Sequence, residues 1–212
     1  MRKLLIIPVM IIFVLSVTAC GSTGITNGNT NTITEAQLTD KEKILLSIGS
    51  SKYFVFDFKV DSKYKWAKVW VDKYEHGKKA EESGTLMADL SEGEEGMIIA
   101  AVRGNGARIN DWVLAVNSGG ALSKAESKNV YEVEEDSAYA SVMSSNKSKI
   151  DIKDKELVLA SACYTVSQEG ESSLSSFSNG FYDDPEAHME EIAEYDIVYL
   201  LKCRFYNTEK QP

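Results

Sequence analysis

Phe54-Val55-Phe56-Asp57-Phe58-Lys59-Val60 and, five residues on, Lys65-Trp66-Ala67-Lys68-Val69-Trp70-Val71-Asp72-Lys73-Tyr74 decide the class of fold. In the first stretch Phe54, Phe56, Phe58 and Val60 fall at every second position, with Asp57 and Lys59 between them. Side chains of a strand alternate between its two faces, so this spacing predicts a half-buried β-strand. In the second stretch Trp66, Trp70 and Tyr74 share one face, and Ala67, Val69 and Val71 the other. Apolar residues on both faces predict a central strand covered on both sides. Glu75-His76-Gly77-Lys78 then closes a hairpin, because Gly supplies a positive φ without steric cost.

The same period recurs along the chain. Gly84–Leu90, Met97–Val102, Asp111–Asn117, Asn129–Val133, Tyr139–Met143, Glu156–Val166 and Tyr195–Tyr206 are further strand candidates. Turn signals punctuate them at Glu92 to Gly96, Arg103 to Gly106 and Ser118-Gly119-Gly120. Helices are few. Thr39 and Glu42 have capping-box spacing ahead of Ile44, Leu45 and Ile48, with Gly49 as the stop. Asp184 and Pro185 have the N-cap and N1 arrangement ahead of Glu186 to Glu194. Short strands at near-regular spacing predict a mainly β protein, a Greek-key β-sandwich with two short helices, with an α+β arrangement as the alternative.

The N-terminus carries a different signal. Met1-Arg2-Lys3 is positive, Leu4 to Val17 is almost wholly apolar, and Thr18-Ala19-Cys20 precedes a polar run. This is the three-part layout of a secretory signal, and the apolar stretch is shorter than the ~20 residues needed to span a bilayer. Val17-Thr18-Ala19-Cys20 resembles the lipobox of bacterial lipoproteins. The resemblance implies a diacylglyceryl group on the Cys20 thiol, cleavage before Cys20, and anchorage at the extracytoplasmic face of the cell membrane. The expected organisation is a signal peptide over 1–19, a lipidated Cys and Gly/Ser/Thr/Asn-rich linker over 20–37, and a β-rich domain over 38–208.

Charge limits the partners. The 212 residues contain 23 Lys and Arg against 32 Asp and Glu, a net charge of −9. Loss of Arg2 and Lys3 with the signal peptide makes it −11. Nucleic acid is not an expected partner, since phosphate binding needs a basic footprint. Anionic headgroups would repel such a body, so lipid rather than charge would hold it at the membrane.

Chemistry-bearing residues are sparse. His76 and His188 are far apart in sequence, and no Cys-x-x-Cys or His-Glu-x-x-His occurs, so neither a metal nor another cofactor is expected. Cys163 shares parity with Leu157 and Leu159, and Cys203 with Tyr199, Leu201 and Phe205, which would turn both thiols into the core. A disulfide between them is chemically permitted outside the cytosol, and two buried free thiols are the alternative. No His is placed to activate either Cys, and no activated nucleophile is evident, so an enzyme is the least supported reading. The expected function is a membrane-anchored binding or interaction module at the cell envelope, meeting a protein, peptide or other envelope component through loops or an open sheet edge. A small-ligand sensor or carrier, with a pocket between the sheets lined by Trp66, Trp70 and Trp112, is the alternative.

Overall fold

The computed structural model describes residues 30–91, 93–104, 111–128, 138–167 and 174–208. The signal peptide, Cys20, the linker as far as residue 29 and the strand expected at Asn129–Val133 lie outside these residues. Among the described residues, eleven strands form two antiparallel sheets. Sheet A has the order β7-β6-β5-β2-β1-β9, and sheet B the order β4-β3-β11-β10-β8. In chain order the elements are β1 (Thr32–Glu35), α1 (Asp40–Gly49), β2 (Lys52–Lys59), β3 (Trp66–Glu75), β4 (Lys78–Asp89), β5 (Glu95–Arg103), β6 (Asp111–Ser118) and β7 (Ala121–Ser127). They continue with β8 (Ala138–Ser145), β9 (Ile150–Asp151), β10 (Leu157–Ser167), α2 (Asn179–Asp183), a 3₁₀ turn (Pro185–His188), α3 (Met189–Ala193) and β11 (Ile197–Tyr206).

The chain passes repeatedly from one sheet to the other. β2 pairs with β5 across the β3–β4 excursion, and β3 pairs with β11, which makes this a sandwich rather than a single meander. Phe54, Phe56 and Phe58 of β2 point inward and meet Ala67, Val69 and Val71 of β3 and Tyr199, Leu201 and Phe205 of β11 in one core. Phe58 meets Phe205 edge-on at 5.3 Å, and Trp112 stacks on Phe54 at 6.3 Å. Burying a side chain of this size removes enough apolar surface from water to contribute roughly 1.5–3 kcal/mol.

A second, smaller core lies on the outer face of sheet B. Phe177, Phe181, Tyr182, Ile192 and Tyr195, from the helical segment before β11, cover Cys163, Val198, Leu200 and Tyr74. β3 is thus buried on both faces at its Tyr74 end, as its apolar pattern implied.

Local signals hold where they rest on backbone chemistry. Thr39 N–H donates to Glu42 Oε2 at 2.7 Å, and Glu42 N–H donates to Thr39 Oγ1 at 3.4 Å, completing the capping box of α1. Helix α1 takes in Gly49 and ends at Ser50, one residue later than expected. The β3–β4 turn places His76 at φ 47° and Gly77 at φ 78°, the paired positive values of the tightest hairpin turn. Asp184 accepts from Ala187 N–H at 3.3 Å, with Pro185 in the first turn.

The domain starts earlier than the sequence pattern indicated. Residues expected in the linker form β1, which pairs with β2 on one side and β9 on the other and buries Ile33 completely. A single apolar residue in a polar run carries little periodic signal, yet one inward side chain is enough for a strand of four residues.

Candidate functional site

The three tryptophans do not share a pocket. Trp112 points into the core, fully buried between Phe54 and Tyr199. Trp66 and Trp70 lie on the opposite, outer face of sheet B, where Lys68 sits 4.8 Å over the Trp70 ring. Trp112 is thus a core residue and Trp66 and Trp70 belong to an outer face, so the three do not line the one pocket between the sheets that the sequence suggested.

Of the two arrangements open to the thiols, the structure has the free pair. Cys163 and Cys203 are both buried and both free. A β-bulge between Val158 and Ala160 admits an extra residue, so the alternation of β10 flips there. Leu157 and Leu159 face the inter-sheet core, whereas Cys163 faces the helical cover. Cys203 remains in the inter-sheet core, so the sheet itself separates the two sulfurs. Burial pushes the Cys163 thiol up to about 12 and raises that of Cys203 as well, so neither is poised as a nucleophile.

Polar groups gather elsewhere. On the outer face of sheet B, Asp72 is fully buried, with its two carboxylate oxygens each 2.9 Å from an ammonium nitrogen, of Lys79 and of Lys202. Beneath the helical cover, the hydroxyls of Ser144, Ser161 and Tyr182 form a triangle with sides of 2.7, 2.9 and 3.1 Å. Burial raises the Tyr182 phenol above its ordinary range, which keeps it neutral and able to donate within the triangle.

A cleft of about 500 Å³ lies at one side of the sandwich, between β2 and β8. It arises from unequal strand lengths. β1 covers the edge of β2 only from Lys59 back to Phe56, and Ala36 N–H adds one more bond to the Val55 carbonyl at 2.9 Å. Beyond that point the chain turns away into α1, while β2 runs on to Lys52. Backbone groups of alternate residues in an antiparallel strand face the same neighbour. Tyr53 therefore directs its N–H and C=O to the side that β1 has left. Among the described residues, β8 is the terminal strand of sheet B. Asn146 N–H donates to Leu159 of β10, so by the same alternation Ser141 and Met143 direct their backbone groups away from β10.

Phe54 and Met143 form the apolar floor of the cleft, and Ser47, Ser50 and Ser51 stand on the α1 side. The near end is clamped by Glu35, which accepts from Ser145 Oγ at 2.6 Å and from Lys147 Nζ at 2.7 Å, joining the two sheets. Lys52, exposed on the rim, pairs with none of the described carboxylates. The signal that could have revealed this site is the polar Thr39 to Lys43 stretch, which draws the chain off sheet A after so short a strand.

Helix α1 borders the cleft and buries none of its residues. Ile44, Leu45 and Ile48 are 61%, 69% and 78% exposed, a contiguous apolar stripe on the side away from the sandwich. An apolar helix face left in water marks an interaction surface more often than an ornament of the fold.

A family model described as the YgaN domain matches residues 32–205. The chain belongs to the YgaN domain family. The match begins at the first residue of β1 and ends within β11, so the YgaN domain corresponds to the whole sandwich with its helical cover. No curated protein and no solved structure matches the chain.

Proposed function

We propose that this YgaN domain protein is a lipoprotein tethered at the extracytoplasmic face of the cell membrane, and that its sandwich is a binding module for another envelope component. The anchor half of this reading rests on Val17-Thr18-Ala19-Cys20 and the charged and apolar segments before it. Two acyl chains hold a protein that one chain would release, which suits a body too acidic to adhere by charge. The binding half rests on one observation above all: the exposed apolar stripe of Ile44, Leu45 and Ile48 on α1. A carrier would need an enclosed apolar cavity, whereas an interaction module presents apolar surface outward.

Membrane fractionation of Cys20→Ala tests the anchor. The unaltered protein is expected in the membrane pellet and in the detergent phase, with the mass of a diacylated N-terminal Cys. The variant is expected to lose both the added mass and detergent partitioning. A Cys20→Ala protein that still sediments as a cut mature form would refute the lipidation.

A further inference from the structure

We infer that the cleft between β2 and β8 receives an extended polypeptide segment of a partner, added as a strand along the edge of β8 that no described strand covers. This deepens the binding half of the proposal above and is independent of the anchor. Unpaired strand edges are templates for another strand, and folded proteins ordinarily cover, shorten or charge them. Here the Met143 to Ser145 end of such an edge borders a recess. Met143 faces it from β8, with Ser141 next along the same edge, and Tyr53 faces it from β2 on the other wall. A strand entering between them finds backbone partners on both sides.

Side-chain chemistry supplies the specificity that backbone pairing lacks. Alternate residues of the incoming strand would face Phe54 and Met143 and so be apolar. Those between would face the hydroxyls of Ser47, Ser50 and Ser51. Lys147 is neutralised by Glu35, so Lys52 is the rim cation left to meet an acidic side chain of the partner. The volume of about 500 Å³ lies within the ~300–1,000 Å³ of ordinary ligand sites. With α1 on its flank, the recess admits one segment rather than the edge of a second sandwich.

The test uses the full-length protein in detergent micelles and a displayed library of random nonapeptides as the probe. Selected peptides are expected to alternate apolar and polar residues, to carry an acid, and to slow amide exchange at Tyr53 and Met143. Ser141→Pro removes an edge-facing N–H while leaving the β10 side of the ladder intact, as proline at a sheet edge allows. It is expected to weaken the selected peptides tenfold or more with an unchanged circular dichroism spectrum. Lys52→Glu, on the exposed rim, is expected to weaken acidic peptides by a similar factor, and it decides the matter if the proline variant misfolds. Failure of the library to yield binders, or binders indifferent to both variants, would overturn the inference. So would a concentration-dependent dimer abolished by Ser141→Pro, because the edge would then belong to a second copy.

Discussion

Asp72→Asn is the most informative single change outside the cleft. The Asp72 carboxylate has no exposure, and the substitution keeps its shape while removing its charge. Lys202 is left with its side chain only 11% exposed and, among the described residues, one carboxylate, that of Glu156, at 3.6 Å. Breaking a buried pair from one side costs about 3–5 kcal/mol, since the partner charge stays buried. Lys79 is half exposed and can turn to water, which brings the expectation to about 2–4 kcal/mol. At roughly 2–4 °C per kcal/mol for a domain of this size, Tm should fall by about 5–15 °C. Burial alone would raise the Asp72 pKa, but the hydrogen bonds from Lys202 and Lys79 outweigh it and hold the group below the usual carboxylate range. Its contribution is therefore complete above the unfolded value near ~4 and disappears as pH falls through the lower folded value. Urea titrations from pH 7 to pH 2 check both points. Asp72→Asn should lower stability at pH 7 and flatten the acid limb. A loss below about 0.5 kcal/mol at pH 7, or an acid limb parallel to that of the unaltered protein, would refute a stabilising role for the cluster.

Three other outcomes follow from the fold. Trp112→Ala should cost about 3–5 kcal/mol in denaturant unfolding, because the cavity would open between Phe54 and Tyr199 where little can collapse to fill it. Cys163 and Cys203 should not react with a thiol reagent at pH 8 in the native protein and should both react in urea without a reductant; a missing pair of thiols in urea would mean a bridge. Thr39→Ala removes the hydroxyl that accepts from Glu42 N–H and donates to the Glu42 carboxylate, about 1 kcal/mol of helix stability, while the bond from the backbone N–H of residue 39 remains. With no α1 residue buried, the loss should speed amide exchange in residues 40–46 and leave Tm almost unmoved.

Much of the sandwich was legible because its longest strands repeat a simple rule. Phe54, Phe56 and Phe58, or Tyr199, Leu201 and Phe205, stand at every second position, and the sheets keep them on one side. The Thr39–Glu42 and Asp184–Pro185 signatures were legible for a similar reason: capping is a contact between near neighbours in sequence. β7 escaped notice because Ala121 to Ser127 is an edge strand with little apolar character, and β1 and β9 because they are short. Parity failed at the bulge near Leu159, where one inserted residue changed the face of Cys163, and no local composition announces such an insertion. The candidate site was the least legible part. It consists of an absence of pairing along β2 and β8, which depends on where β1 stops and not on any motif.

The chain enters the sandwich through β1, and this has a mechanical consequence. A load on the N-terminus acts along the axis of a four-residue strand, held by the Asn31 bonds to Asp61 and Ile152, by its pairing with β2 and β9, and by the Glu35 bond to Ser145 of β8. Shearing β1 away would draw Ile33 out of the interior and bare the flank of β2 from Tyr53 down to Lys59. The cleft would lengthen by the same distance. Tension at one end of the molecule and occupancy of the groove at its side are therefore linked, and a strand seated there would be gripped differently by a protein under pull than by one at rest.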